Sequence, residues 1–103
     1  MITRLWRGWT TKENADAYET LLLGEILPAI AARLSKGYGG ARVFRRDVPE
    51  GVEFLTILTF DSMETIRDFA GDDAEASHVP AKARAVLSRW DERAQHYAEV
   101  PVA

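Results

Sequence analysis

The segment Val52-Glu53-Phe54-Leu55-Thr56-Ile57-Leu58-Thr59-Phe60 constrains this chain more than any other. Its β-branched and aromatic content reads as a strand, and successive side chains of a strand point to opposite faces. Phe54, Leu58 and Phe60 then share one face, and Leu55 and Ile57 share the other. Both faces carry large apolar groups, so both need cover. The chain has 103 residues, which is one domain by length. Size scaling lets such a chain bury roughly 65% of its unfolded surface, enough for one core. Its helices can shield one face of a sheet, and an apolar face left bare marks an interface. Two sheets packed face to face in a symmetric dimer satisfy both faces.

The rest of the chain supplies the elements around that strand. Ile2 to Trp9 alternates arginines with apolar groups and reads as a first strand. Thr10 with Glu13 makes a capping box, which predicts a helix start there. Tyr18, Leu22, Ile26, Ala29 and Ile30 fall at helical spacing, and Leu21, Leu23, Leu27 and Leu34 widen that face. Pro28 lacks an N–H and predicts a kink or break, and Gly37 is the expected C-cap. Ala41 to Val48 and Val52 to Phe60, joined by Pro49-Glu50-Gly51, read as a hairpin. Asp61 or Ser62 caps a short helix through Met63, Ile66, Phe69 and Ala70, ended by Gly71. The stretch 74–79 reads as irregular. Pro80 fits the first turn of another helix, with Ala83, Val86, Leu87 and Trp90 on its apolar face. Arg93 to Val100 reads as a last strand, and Pro101 to Ala103 as a loose tail.

The order is β-α-β-β-α-β with the second helical region split, a ferredoxin-like α+β domain over residues 1–100. Four antiparallel strands would carry helices on one face.

Composition removes several function classes. Apolar residues make up 47% and charged residues 28%, ordinary globular usage. The net charge of −3 gives no basic field for nucleic acid or anionic lipid. The chain has no cysteine, so disulfides, thiolate metal sites and a cysteine nucleophile are excluded. No apolar run follows the first arginines, and Leu21 to Leu34 is interrupted by Gly24, Glu25, Pro28 and Arg33. A secretory leader and a membrane span are therefore not expected, and a cytoplasmic location is. Gly37-Tyr38-Gly39-Gly40 lacks the lysine of a phosphate loop, and serines 35, 62, 77 and 88 lack a nucleophile elbow.

Histidines, aromatics and arginines remain. His78 falls in loop before Pro80, where it is either a general base or haem ligand, or a solvated imidazole. His96, on the last strand, reads as a hydrogen-bonded strand residue. Two histidines with Asp72, Asp73 or Asp91 form no metal-binding spacing, and no metal is expected. Trp6, Trp9, Tyr18, Phe69, Trp90 and Tyr97 either line a pocket for a flat ligand or form core and interface. Arg4, Arg7, Arg42, Arg45 and Arg46 are anion-binding groups or salt-bridge partners.

Ile2-Thr3-Arg4-Leu5-Trp6-Arg7-Gly8-Trp9, Ala15-Asp16-Ala17-Tyr18, Gly37-Tyr38 and Glu53 to Phe60 carry a family resemblance. So do Asp61-Ser62, Ile66-Arg67-Asp68-Phe69-Ala70-Gly71 and His96-Tyr97. Across nearly its whole length the chain resembles the antibiotic-biosynthesis-monooxygenase-like family of dimeric α/β-barrel proteins. The resemblance implies a homodimer paired through the sheet face. It also implies oxidation of an aromatic or polyketide-like small molecule by dioxygen without a cofactor. His78 would be the base, Trp6, Tyr18 and Phe69 the walls, and Arg7 the stabilising cation. The family also contains haem-degrading members. Of their asparagine, tryptophan and histidine positions, falling near Trp6, on Phe69 and at His78, only the histidine is matched. Haem binding is thus one alternative, and a non-enzymatic dimeric binding or stress-related module is the other.

Overall fold

The computed structural model describes residues 1–34 and 36–103. Ser35, one of the serines weighed above, lies outside the described residues. Strand β1 (Ile2–Thr10) leads into a helical stretch in three pieces. These are α1 (Lys12–Leu21), a π-helical turn (Leu22–Ile26) and α2 (Leu27–Arg33). The hairpin of β2 (Tyr38–Val48) and β3 (Gly51–Phe60) follows. Then come α3 (Met63–Ala70), α4 (Ala81–Val86), β4 (Arg89–Trp90) and β5 (Gln95–Ala98).

The sheet is antiparallel, in the order β2-β3-β1, and both β4 and β5 lie along the free edge of β1. This is the expected ferredoxin-like α+β fold, with helices on one face. The sheet has five strands rather than four, because the last position is filled by two short strands. Trp90 pairs with Gly8 and Gln95 with Leu5, so five residue steps on this edge oppose three on β1. The surplus residues bulge out of the ladder. The Asp91 N–H donates to the Arg7 carbonyl there (2.9 Å), and the Ala94 N–H to Glu75 (2.8 Å). Trp90, expected on the last helix, is therefore a strand residue. Leu87 already has extended backbone (φ −83°, ψ 138°), and the Ser88 N–H donates to the Trp9 carbonyl.

Local expectations are corrected in three further places. The N-cap is Thr11, whose hydroxyl accepts from the Asn14 N–H at 3.2 Å, and not Thr10. The helix does not break at Pro28. Its bonding slips to i→i−5, with the Leu27 N–H donating to the Leu22 carbonyl, and Pro28 then opens α2 as a first-turn residue. Gly37 lies beyond the helix end at Leu34. Its φ of +81° serves a close approach to Asp61 and Thr65, where its carbonyl accepts from the Asp61 N–H (2.8 Å).

The helix-side face of β3 is the core floor: Val52, Phe54, Leu58 and Phe60 are all buried. Two clusters sit on it. Tyr18, Leu22, Phe54, Ala83 and Leu87 form one, and Ile30, Leu34, Phe60, Ile66 and Phe69 the other. Burying one such aromatic or aliphatic side chain contributes ~1.5–3 kcal/mol. Ile26 and Leu27 pack against both clusters. On the opposite face Leu5, Leu55 and Ile57 are half-buried, Phe44 is 44% exposed and Tyr97 55%. Trp9 also faces that way, yet it is 4% exposed because the Arg89 guanidinium stacks 3.6 Å from its ring centre. Among the described residues no helix is long and apolar enough to cross a membrane.

Gly51 ties the hairpin to the end of β1. Its φ is +144°, and a Cβ would overlap the Thr10 carbonyl oxygen and come within 2.9 Å of the Thr11 Cα. Gly51→Ala is predicted to cost about 3 kcal/mol in chemical denaturation, the sum of backbone strain and a clash with unyielding main chain. A loss under about 1 kcal/mol contradicts that packing.

Candidate functional site

A cleft opens between the two core clusters. The sheet forms its floor, α1 to α2 its roof, and Phe69, His78, Val79 and Pro80 one side. About 500 Å³ of space free of atoms lies in and before it, open solvent at the mouth included. The π-helical turn shapes its roof. The extra residue in the turn lets Ile26 and Leu27 both face the cleft with Leu22 and Ile30, and such turns are frequent at functional sites.

Strand register fixes the floor. Trp6 stands opposite Thr56, and Arg4 opposite Leu58, on the face that carries the helices. The Trp6 indole N–H donates to the Asp91 carbonyl (2.8 Å) and to the Ser77 hydroxyl (3.0 Å), which itself bonds the same carbonyl. The indole is thus locked in place as a wall. Tyr18 is almost fully buried and meets Phe54 edge to face, with ring centres 4.9 Å apart. Burial pushes its phenol far above the ordinary tyrosine range, so it is a neutral donor at any working pH. The Thr56 hydroxyl is buried and has no hydrogen-bond partner among the described residues.

Arg4 is the polar centre. It is 3% exposed and donates to the carbonyls of Ala74 (2.6 Å) and Ala76 (2.7 Å). It also donates to His96 Nε2 (2.8 Å), and its guanidinium lies 5.2 Å from the Phe69 ring centre. Desolvation lowers its pKa to about 10, partly offset by Glu75, so it stays charged at neutral pH. The clamp holds the 74–78 loop, and with it His78, whose ring centre is 4.9 Å from that of Phe69. His78 sits at the cleft mouth, open to solvent on one side. Burial of its other side, then Arg33 and Arg4, lower its pKa, which leaves a neutral imidazole at pH 7. Among the described residues no three His, Asp or Glu side chains are grouped to hold a metal.

Of the five site residues expected from sequence, His78, Trp6, Tyr18 and Phe69 meet at this cleft. Arg7 does not. It is one residue from Trp6 on a strand, so it points to the outer face, where it pairs with Asp91 at 3.0 Å and lies over Trp9. Arg4 takes the place assigned to it. The signal was present: Arg4 and Trp6 are two apart, and Trp6 and Arg7 cannot share a face. Thr56 follows from the same alternation, two residues from Phe54.

No protein-family model matches this sequence, and no curated protein is similar to it in sequence. Solved structures share the fold at low identity. A putative antibiotic biosynthesis monooxygenase from Bacillus cereus superposes with a TM-score of 0.63 at 14% identity, over 100% of this chain and 96% of that one. The monooxygenase encoded by ActVA-Orf6 of Streptomyces coelicolor, solved with nanaomycin D, gives 0.61 at 12%, over 99% and 89%. A dimeric ferredoxin-like protein from an uncultured marine organism gives 0.55 at 14%, over 99% and 90%.

The Arg4–His96 contact has a pH consequence. Arginine only donates, so His96 Nε2 must be unprotonated. Burial and Arg4 lower the folded-state pKa of His96 below its ordinary value of about 6.5, Glu75 opposing. Below that value the unfolded chain binds the proton more readily. The contact's stabilisation is complete above pH ~6.5 and is lost as pH falls through the folded-state pKa. His96→Gln, which keeps an acceptor, is expected to lose less stability than wild type in denaturant unfolding as the pH falls from 7.5 to 5.5. Parallel profiles for the two proteins contradict the assignment.

Proposed function

We propose that the protein is a small monooxygenase that oxidises an electron-rich aromatic molecule with dioxygen, without a cofactor. The observation that carries this reading is His78, kept neutral at the mouth of an aromatic-walled cleft with a buried cation on its floor. The fold shared with two proteins described as monooxygenases supports it. His78 takes the acidic proton of a phenol or of an anthrone-type methylene. The resulting anion passes one electron to dioxygen, radical and superoxide recombine into a peroxide anion, and this takes the proton back from the His78 imidazolium to give a hydroperoxide. Loss of water leaves a new carbonyl, so the substrate supplies both electrons that reduce the second oxygen atom. Trp6, Tyr18 and Phe69 exclude water, and the field of Arg4 favours the anion without touching it. Haem is a poor match for these residues. The Arg4 nitrogens are engaged by Ala74, Ala76 and His96, which removes the floor cation as a propionate partner.

The bare face of the sheet belongs to the same reading. Leu5, Leu55, Ile57 and Phe44 form an apolar patch with no helix over it, and a second copy of the chain covers it. One of the proteins sharing this fold is described as dimeric.

Oxygen consumption with a panel of anthrones and quinols is expected, and His78→Ala should lower it by about 10²–10⁴-fold. No uptake across the panel, or full activity in His78→Ala, contradicts the reading. A hemin titration is expected to give no Soret shift. Sedimentation should give twice the chain mass, and Leu55→Glu with Ile57→Glu should give the chain mass. A monomeric wild type contradicts the pairing.

A further inference from the structure

A groove continues from the cleft mouth along α2. Ile26, Ala29, Ile30 and Arg33 form one wall and His78 and Pro80 the other, and four of these six also line the cleft. The residues lining the two spaces include two arginines and no Asp or Glu. Arg4 lies inside and is bonded to Ala74, Ala76 and His96. Arg33 is different. It is exposed, and its Nη2 donates to the Asp68 and Phe69 carbonyls at the end of α3. Those bonds hold the guanidinium, and its Cζ lies 5.6 Å from the Phe69 ring centre. The His78 ring lies 4.9 Å from the same centre, so Arg33 and His78 flank one aromatic ring. Arg7, Arg45, Arg46, Arg89 and Arg93 each face a carboxylate. Arg33 pairs with none among the described residues, and its Nε and Nη1 donate to no group there.

We propose that Arg33 is a specificity residue that reads a carboxylate on the ligand at the cleft mouth. The preferred ligand is then an aromatic acid, its ring inside the cleft and its carboxylate on the free Arg33 N–H groups. Such charge-assisted bonds are stronger than neutral ones, and the apolar walls of Ile26, Ala29, Ile30 and Pro80 leave little water to compete for them. The groove has one cation, so it serves one carboxylate. The inference rests on the oxygenase reading for the aromatic ring of the ligand, and on the groove alone for its charge.

The test compares 2-naphthylacetate with 2-naphthylacetamide, which match in size and differ in charge. Isothermal titration calorimetry at low ionic strength, where screening is least, is expected to show wild type binding the acid about fivefold more tightly, as one partly exposed ion pair gives. Arg33→Gln should bring the two probes to equal affinity by weakening the acid alone. Ala29→Glu places a carboxylate four residues before Arg33 on the same helix, where it pairs with the guanidinium. It should also remove the preference, and it carries the test if Arg33→Gln loosens the end of α3. Ala29→Gln, a control for bulk, and Arg67→Gln, a control for net charge, should both keep the preference. An arginine that only holds the end of α3 would leave the ratio of the two affinities unchanged. Equal binding of the probes by wild type, binding of neither, or a preference that survives either Arg33→Gln or Ala29→Glu overturns the inference. The experiment involves no oxygen and no turnover. An acid preference without oxygen uptake from any anthrone or quinol leaves this site standing and removes the oxygenase reading, and uptake without the preference removes this inference alone.

Discussion

Everything in this fold hangs on the two-residue alternation of β1. That strand pairs with β3 on one side and with β4 and β5 on the other. Its even-numbered residues Arg4 and Trp6 enter the cleft, and its odd-numbered residues Leu5, Arg7 and Trp9 build the outer face. A slip of one residue would exchange the two sets. It would bury Arg7 without its Asp91 partner and take Arg4 away from the carbonyls of Ala74 and Ala76. The paired partner Thr56 and the clamp on the 74–78 loop both depend on the same register.

That clamp joins architecture to chemistry. Arg4 crosses from the sheet to the loop carbonyls of Ala74 and Ala76, and His96 accepts from it on the neighbouring strand. A single buried guanidinium thereby holds the loop that leads into His78. Arg33, holding the end of α3 through the Asp68 and Phe69 carbonyls, adds a second positive charge near that imidazole. The result is an imidazole of lowered pKa beside an apolar space, the setting in which the proposed proton abstraction would take place.

The strands, the split second helical region and the unshielded sheet face were legible in the sequence. They are written in short-range periodicity, which burial enforces. Of the five expected site residues, Trp6, Tyr18 and Phe69 reach the cleft by strand and helix periodicity, and His78, in loop, was picked out by the family resemblance. Arg7 was misplaced because residue type was weighed without strand parity, although Trp6 already settled the parity. The bulge that divides the last strand was not legible. It is set by what Asp91 bonds on β1 and Ala94 bonds in the 74–78 loop, and not by any local preference of residues 89–98. The π-helical turn was visible only as Pro28, since whether a missing N–H is met by a break or by a slipped bonding frame depends on how Leu22, Ile26 and Leu27 pack.

The central claim is that the cleft between the helical roof and the β1–β3 floor is where a flat aromatic ligand meets His78. A crystal structure of the protein with an anthrone bound under anaerobic conditions tests it most directly. The account predicts the rings between Trp6, Tyr18 and Phe69, with the acidic carbon within about 3–3.5 Å of a His78 ring nitrogen. A ligand bound outside the cleft, or seated in it with His78 turned away and out of reach, would contradict it.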